Sequence, residues 1–394
     1  MCFLSFFVQG SDTTVVENEF KIPKQIDVDL IYSYYEQDGD LSPVTGGKGT
    51  QALTDAVSQL KVNIPFKNGN AIAVSITQDQ YSSASTDNID ATISSASVID
   101  ARTYGNINYS KSSTNEREVF GIGVGYSTEW DVESLSANAN WSLTTKDRLK
   151  GYSLNFSLFR DDWELIYPFE LRPIALLNNQ EFVDDNVRYS LSSGFTFERV
   201  INKKLITSIT GELIYQKGLL STPFHRVFFI DIEQHTVEYL PSQRIRYPIT
   251  VKTNYYLIDN LILKAYFRSY YDSFDVIGQT YKLELATKIS RALTLYPFGR
   301  YHHQSNSKYY APFAEHLSSS TYYTSDSDLA KFDAYQFGLG LSLNPIYGIF
   351  KMKIPKTKRN QSLIIQSIDV RYAHYFQTTG LTADIISLAV KFKL

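Results

Sequence analysis

Strict alternation of apolar residues with small or polar ones is the feature that most constrains how this sequence can fold. Residues 386–394 show it clearly, because every second residue is apolar and Ser387, Ala389, Lys391 and Lys393 lie between them. A period of two places neighbouring side chains on opposite faces of a β-strand. This segment therefore predicts a strand with one apolar face.

The same alternation recurs along the chain, for example over Phe120–Tyr126, Leu135–Leu143 and Tyr335–Leu343. It often persists for about ten residues, which is the length needed to cross a bilayer at a tilt, whereas soluble sandwiches usually have shorter strands. We therefore predict an all-β fold: one closed, antiparallel, porin-like transmembrane barrel of about 16 strands (roughly 14–18). A closing strand of a soluble sandwich is the alternative for the C-terminal segment alone.

Composition supports a barrel that meets lipid outside and water inside. Hydrophobic residues make up 43% of the 394 residues and aromatic residues 14%, with 29 Tyr and 24 Phe. No run of 18 apolar residues occurs, which excludes a conventional transmembrane helix. The net charge of −3 argues against a nucleic-acid partner. Outer-membrane lipid is the expected surrounding.

Two regions are expected. Residues 1–25 are interpreted as the remnant of a signal peptide followed by a flexible leader, because Met1–Gly10 resembles the end of a hydrophobic signal region. A short disordered tail is the alternative. Residues 26–394 are predicted to form the barrel. The C-terminal strand resembles the one by which outer-membrane barrels are recognised and inserted, so the bacterial outer membrane is the expected location and the barrel assembly machinery an expected partner.

Connection lengths predict the orientation. Tight turns are expected near residues 67–70, 111–115, 146–149, 201–203, 258–260 and 290–291. Long connections are expected at 38–51, 82–98, 172–186, 218–238 and 309–329. With both termini in the periplasm, every tight turn is periplasmic and every long loop external, as in outer-membrane barrels. The basic connection 346–361 is the exception.

The first and last strands are predicted to close the barrel. Asp27 and Asp29 occupy the polar phase of the first strand, and Lys391 and Lys393 that of the last. Antiparallel pairing would place opposite charges across this closure seam, which favours the pairing. Separate solvation of each charge by water in the lumen is the alternative.

Basic residues occupy the polar phase of the later strands. They are Arg244, Arg246, Lys252, Lys264, Arg268, Lys282, Lys288 and Arg300. Glu284 is the main acid among them. A water-filled lumen with such a wall would favour anions. The alternative is that these residues pair with acids of an inward-folded loop.

No strong catalytic or cofactor motif occurs, so no catalytic residue, cofactor or metal is predicted. His225, His235 and His316 fall in predicted loops, which leaves a rim-located hydrolase as a less favoured alternative. A second set of potential metal ligands comprises His302, His303, His316, Asp326 and Asp328. Its spacing matches no known ligand pattern.

Several segments together resemble an uncharacterised, domain-of-unknown-function family of Gram-negative outer-membrane barrels. They are residues 26–49, Tyr81–Asp90, Trp163–Arg172, Leu220–Phe228, Tyr310–Phe313 and Tyr322–Leu329. Family members are often encoded near a small lipoprotein and a flavin-attaching transferase. The resemblance therefore implies a small lipoprotein or a periplasmic redox protein as a partner, and it implies no catalytic residues.

The segment Pro223, Phe224, His225 and Arg226 is a predicted constriction loop, with Phe224 as an apolar rim and Arg226 as a charge. A loop that stays in solvent is the alternative. The sequence thus predicts a channel, transport or export component with a partly cationic lumen. A barrel that scaffolds a periplasmic or lipoprotein assembly is the alternative function.

Overall fold

The alternating segments form β-strands in a computed structural model, which describes residues 25–66, 69–83, 99–172, 182–353 and 362–394. Of the predicted leader, residues 1–25, all but Gln25 lie outside this description. The strands are β1 (Asp27–Asp38), β2 (Leu53–Pro65), β3 (Asn70–Ser83), β4 (Ile99–Ser112), β5 (Glu118–Thr128), β6 (Val132–Thr144), β7 (Lys150–Trp163), β8 (Val187–Asn202), β9 (Leu205–Gly218), β10 (Arg226–Phe228), β11 (His235–Val237), β12 (Gln243–Arg246), β13 (Ile249–Ile258), β14 (Leu261–Tyr271), β15 (Ile277–Lys288), β16 (Leu293–Gln304), β17 (Phe332–Leu343), β18 (Phe350–Lys353), β19 (Ser362–Gln377) and β20 (Thr382–Lys393).

Eighteen of these strands form one antiparallel sheet that closes on itself, while β10 and β11 form a separate hairpin. Both β12 and β13 pair with β9, and both β17 and β18 pair with β19. Each of these couples is one wall strand interrupted near a proline, Pro248 or Pro345, which has no N–H for the ladder. The wall therefore has sixteen strand positions, and the predicted closed barrel is confirmed.

β1 pairs with β2 on one side and with β20 on the other, which closes the barrel. The register places Asp27 opposite Lys393 and Asp29 opposite Lys391, which is the pairing that the sequence predicts for the closure seam. Reciprocal backbone hydrogen bonds between Ile26 and Leu394, at 3.0 and 2.9 Å, extend the seam by one residue beyond each strand.

The two faces of the wall differ in chemistry. On β5, Phe120, Ile122 and Val124 are 49–61% exposed, whereas the glycines between them are buried. The exposed apolar face is the outer face, because a closed barrel turns its other face towards the lumen. An apolar outer face suits a hydrocarbon surrounding.

The buried glycines of β5 are covered by asparagine side chains of the neighbouring strands. A Cβ atom placed on Gly121, Gly123 or Gly125 would come within 1.9–2.1 Å of an amide oxygen of Asn140, Asn108 or Asn106. These glycines therefore make room for a polar inner wall built by β4 and β6.

An aromatic belt crosses the outer face of β14–β19. Its ring contacts, with centroids 5.0–6.5 Å apart, join Phe267, Tyr281, Tyr301, Tyr335, Phe337 and Phe376. Such belts lie where a membrane meets water. No helix within the described ranges has the length and apolar character needed to cross a bilayer.

Connections at the two ends of the barrel differ in length, as predicted. At the end that holds Ile26 and Leu394 (the terminal end), they are short, such as 203–204 and 259–260. At the opposite end (the loop end), they include 39–52, 219–242 and 305–331. Most of the predicted long loop 82–98 lies outside the described residues, and so do residues 354–361 of the basic connection 346–361.

Closure predicts a specific cross-link. Ser33 and Ser387 are direct partners across the seam, so cysteines at both positions should form a disulfide. In a background without Cys2, oxidised S33C/S387C protein should show a faster-migrating band on a non-reducing gel. The control pair S33C/L388C should not, because Ser33 and Leu388 lie on opposite faces. A barrel open at this seam would cross-link neither pair.

Candidate functional site

The eight predicted basic residues lie on the inner face of the wall (the basic wall). The register shows this, because Lys264 lies opposite Glu284, Lys282 opposite Arg300, and Lys252 opposite Tyr266, all in one phase. The outer phase of the same strands carries exposed residues such as Leu283. The alternation of faces along each strand therefore places these charged side chains on the lumen side.

Glu284 is the centre of a charge cluster on the basic wall. Its carboxylate lies 3.1 Å from Lys264 Nζ, 3.5 Å from Lys282 Nζ and 3.3 Å from Arg371 Nη1. The carboxylate is buried, whereas the three basic side chains remain 29–33% exposed. Tyr296 packs under both Lys264 and Arg371, with the charged groups 5.3 and 5.4 Å from the ring centroid. Three cations around one anion leave an excess of positive charge on the inner face.

Other members of the basic wall are already bound. Arg244 Nε donates to Asp272 Oδ2 at 2.8 Å, and its guanidinium lies 4.4 Å from the ring centroid of Phe274. Asp272 is fully buried and also accepts from the Phe274 and Val276 backbone N–H groups. Arg244 is thus neutralised by a loop acid, which is the alternative that the sequence left open. Lys282 and Arg268 also lie over rings, those of Phe298 and Tyr270.

The opposite side of the inner face carries acids near the loop end. The Tyr81 hydroxyl donates to Asp100 Oδ2 at 3.1 Å and also to Glu129. Burial, together with the nearby Glu129 carboxylate, raises the pKa of Asp131 to about 7. The inner face therefore carries a basic region on β12–β16 and a smaller acidic region on the opposite side, and these acids were not predicted from the sequence.

The buried apolar core lies in the connections of the loop end rather than in the wall. We call these connections the loop cap, and they comprise residues 39–52, 164–172, 182–186, 219–242, 272–276 and 305–331. One cluster joins Leu171, Val183, Leu219 and Val237. A second joins Leu240, Phe274, Val276 and Leu329. Shared cores make the connections one packed unit rather than separate loops.

The loop cap crosses the mouth of the barrel. Connection 39–52 joins the first and second wall positions, and 219–242 joins the ninth and tenth, so they leave opposite sides of a sixteen-position wall. The two nevertheless meet, since Arg226 Nη1 donates to the Val44 carbonyl and Phe228 packs against Gly46. A wall of this size has a diameter of about 30 Å. Contact between opposite loops therefore requires at least one of them to span the opening.

The predicted constriction loop is part of the loop cap. Pro223 is fully buried, His225 is 4% exposed and Arg226 is 9% exposed, so the segment does not stay in solvent. Phe224 packs edge-on against His225, with ring centroids 5.3 Å apart. The sequence identified the segment through its length and composition, but its burial depends on partners far away in the chain.

Arg226 does not offer a free charge, contrary to the sequence-based expectation. Its Nε donates to Glu170 Oε1 at 2.5 Å and its Nη2 to Glu170 Oε2 at 3.0 Å. Burial alone would raise the pKa of Glu170, but hydrogen bonds from Arg226 and His235 outweigh it and lower this pKa to about 2. The bidentate pair ties connection 164–172 to 219–242.

The set of potential metal ligands considered from the sequence does not converge. His302 hydrogen-bonds Thr280 on the inner face, whereas the next residue, His303, pairs with Asp333 on the outer face. His316 is buried, which lowers its pKa, and its Nε2 lies 2.9 Å from the Thr324 carbonyl. A ring nitrogen facing a carbonyl must donate, so the imidazole is held there as a neutral donor.

Three solved structures illustrate the likeness to known barrels. One titled "Bacterial polysaccharide outer membrane secretin" has 8% identity and a TM-score of 0.46, covering 95% of this chain and 99% of that chain. OccK1 (OpdK) of Pseudomonas aeruginosa has 6% identity and a TM-score of 0.38, covering 94% and 98%. OccAB3 of Acinetobacter baumannii has 10% identity and a TM-score of 0.39, covering 94% and 99%. Sequence identities this low give no information about which solute this protein binds or transports.

A search of curated proteins found no match. The closed wall with its apolar outer face and aromatic belt identifies an outer-membrane β-barrel. A family model described as "Protein of unknown function (DUF3570)" matches residues 4–348, in agreement with the resemblance expected from the sequence. The chain belongs to this family of proteins of unknown function.

Proposed function

We propose that the protein is an outer-membrane channel or export component that favours anionic solutes and whose loop-bearing mouth is covered by the loop cap. In this proposal both termini lie in the periplasm and the loop cap faces the cell exterior, because outer-membrane barrels have short periplasmic turns and longer external loops. The protein needs no cofactor for this role.

The cluster around Glu284 is the observation that carries the proposal. Lys264, Lys282 and Arg371 surround a single carboxylate, and each keeps about a third of its side chain exposed on the inner face. Glu284 is near the middle of β15 rather than at an end. A local excess of positive charge within the wall raises the local concentration of anions and their rate of entry.

A scaffold for a periplasmic or lipoprotein assembly is a second candidate. Ile346 and Tyr347 at the terminal end are 76% and 91% exposed, and Lys351 and Lys353 lie beside them on β18. This apolar and basic surface suits a protein partner. A small lipoprotein or a redox protein as that partner remains a prediction from the family resemblance.

Catalysis at the rim is not part of the proposal. His225 and His316 are both buried within the loop cap, and His316 is occupied by the Thr324 carbonyl. Neither ring is presented to a substrate at the outer leaflet in this arrangement.

Removing one connection of the loop cap should open the mouth. Replacing Gly218–Glu238 by a short Gly/Ser linker removes the segment that reaches across to Val44, so single-channel conductance in a planar bilayer should rise by about twofold or more. Heat modifiability on a gel checks that the barrel still folds. Conductance equal to that of the full chain would mean that this connection does not restrict passage.

Charge removal on the basic wall should weaken anion preference. In the cap-deleted background, the reversal potential in a KCl gradient should indicate anion selectivity. Replacing Lys264 and Lys282 by Gln should lower the anion-to-cation permeability ratio by about twofold or more. The control Lys217→Gln removes a cation from the outer face, where its register partner is the exposed Tyr189, and should leave the ratio unchanged. A cation-selective parent would contradict the proposal.

Acid should loosen the loop cap through Glu170. Its folded-state pKa of about 2 lies below its ordinary value of 4.5, so its contribution is present above about pH 4.5 and is lost as pH falls towards 2. Glu170→Gln should reproduce this loss at neutral pH. Because the Glu170 side chain is 38% exposed, solvent screening leaves less than the full effect of the pKa shift. Backbone amides of 219–242 should exchange about tenfold faster, which corresponds to roughly 1.4 kcal/mol.

The matched control is Glu233→Gln, which removes the same charge from an exposed site in connection 219–242, the segment whose exchange is measured. Hydrogen exchange measured by mass spectrometry should show no acceleration in this variant. Equal exchange in the Glu170→Gln variant and the parent would mean that the pair with Arg226 does not stabilise the loop cap.

A further inference from the structure

His225, Glu238 and Asp326 meet inside the loop cap. They come from separate parts of the chain: His225 precedes β10, Glu238 follows β11, and Asp326 lies in the connection between β16 and β17. One ligand atom from each residue lies within 4.8 Å of the others. His225 and Glu238 are buried, and Asp326 is half-buried. Loop packing thus brings one imidazole and two carboxylates to a single point.

His225 faces this point with an unsatisfied nitrogen. Its Nδ1 is buried and has no hydrogen-bond partner among the residues that the structure describes, and the side chain is only 5% exposed. The nearest acid atom, Glu238 Oε2, is 3.7 Å away, which is too far for a hydrogen bond. A buried ring nitrogen without a partner costs free energy, so a ligand at this position would satisfy it.

Glu238 is a buried carboxylate whose hydrogen-bond donors are neutral. Its side chain is 2% exposed, and its oxygens accept from the Thr222 backbone N–H at 2.7 Å and from the Thr324 hydroxyl, both neutral donors. Over the part of the chain that the structure describes, His225 is the only base with a nitrogen within 4.0 Å of this carboxylate. A buried carboxylate normally requires a cation or a metal ion beside it.

Asp326 is the third potential ligand, and its carboxylate is held in place by hydrogen bonds within its own turn. Its Oδ1 accepts from the Asp328 backbone N–H at 3.0 Å, and its own N–H donates to the Thr324 hydroxyl at 3.0 Å. These bonds fix the carboxylate next to the residue that also contacts Glu238. The position of Asp326 is therefore set by the turn and does not depend on a chance rotamer.

We propose that His225, Glu238 and Asp326 form a binding site for a divalent first-row transition cation, with Zn²⁺ as the representative ion. One nitrogen and two carboxylate oxygens suit Zn²⁺, whereas Mg²⁺ and Ca²⁺ prefer oxygen ligands alone. Tetrahedral bonds of about 2.1 Å require ligand atoms about 3.4 Å apart. The present separations, from 3.7 to at most 4.8 Å, need only small side-chain shifts. The site would join two connections of the loop cap, whatever solute the barrel conducts.

The test is metal binding by the refolded full chain in detergent. The metal-stripped protein is titrated with Zn²⁺ by calorimetry, and Co²⁺ absorption reports the ligand geometry. One Zn²⁺ per chain should bind. His225→Gln and Asp326→Asn should each weaken binding about tenfold or more. Asp326→Asn keeps an oxygen that can accept from Asp328 N–H, so this variant should fold even if His225→Gln does not.

The control is His374→Gln, since His374 pairs with Asp384 on the wall, where both side chains are about half exposed. This change should leave the affinity and stoichiometry unaltered. Absence of stoichiometric Zn²⁺ binding would overturn the proposal. In that case, a His225 ring found to be protonated in an NMR pH titration would show that His225 and Glu238 form an internal ion pair instead. Binding that is lost only in His374→Gln would also overturn it, by placing the metal on the wall.

Discussion

Closure of the backbone hydrogen-bond ladder between β1 and β20 is the constraint on which the rest of the structure depends. In hydrocarbon, an unpaired N–H or C=O costs several kcal/mol, so a sheet can cross a membrane only if it has no free edge. The pairing of Asp27–Asp38 with β20, continued by Ile26 and Leu394, removes that edge. Closure also defines an outer face, an inner face and two ends, to which every other feature is assigned.

Closure of the barrel explains why the buried apolar clusters lie in the loop connections rather than in the wall. Because the outer face meets lipid and the inner face is polar, the wall offers little interior in which clusters of large apolar side chains can be buried. The described structure buries them in the loop cap, around residues such as Val227, Val237 and Phe274. The loop cap is therefore a small packed unit carried on the barrel. Its buried Glu238 is typical of a protein interior rather than of free loops, and the ion pair between Arg226 and the more exposed Glu170 joins two of its connections. This packing explains how connections from opposite sides can remain in contact across a wide mouth.

Much of the wall could be predicted from sequence because its information is local. A period of two assigns each residue to a face, so the inward position of Lys264 and Lys282 and the opposition of Asp29 and Lys391 follow from parity once the barrel is assumed. Even Gly121 and Gly123 could be placed on the inner face this way, although the asparagines that cover them could not be identified without the register.

The loop cap could not be predicted in the same way, because its contacts carry no period. Glu170 and Arg226 are 56 residues apart, and Thr324 lies 86 residues from Glu238. Composition identified Pro223–Arg226 as a segment of interest, but its neighbours follow only from the three-dimensional packing. The same reason explains why His316 and Asp326 were grouped as potential ligands, whereas the structure places His225 and Glu238 beside Asp326.

The distance across the mouth is the most direct test of the capped barrel. Spin labels at Lys48 and Ile230, which are both exposed, would sit on connections from opposite sides of the wall, and pulsed electron paramagnetic resonance in liposomes would measure their separation. If the loop cap spans the opening, a single distance well below the barrel diameter of about 30 Å is expected. A broad distribution centred near that diameter would show that the connections stand apart and that the mouth is open.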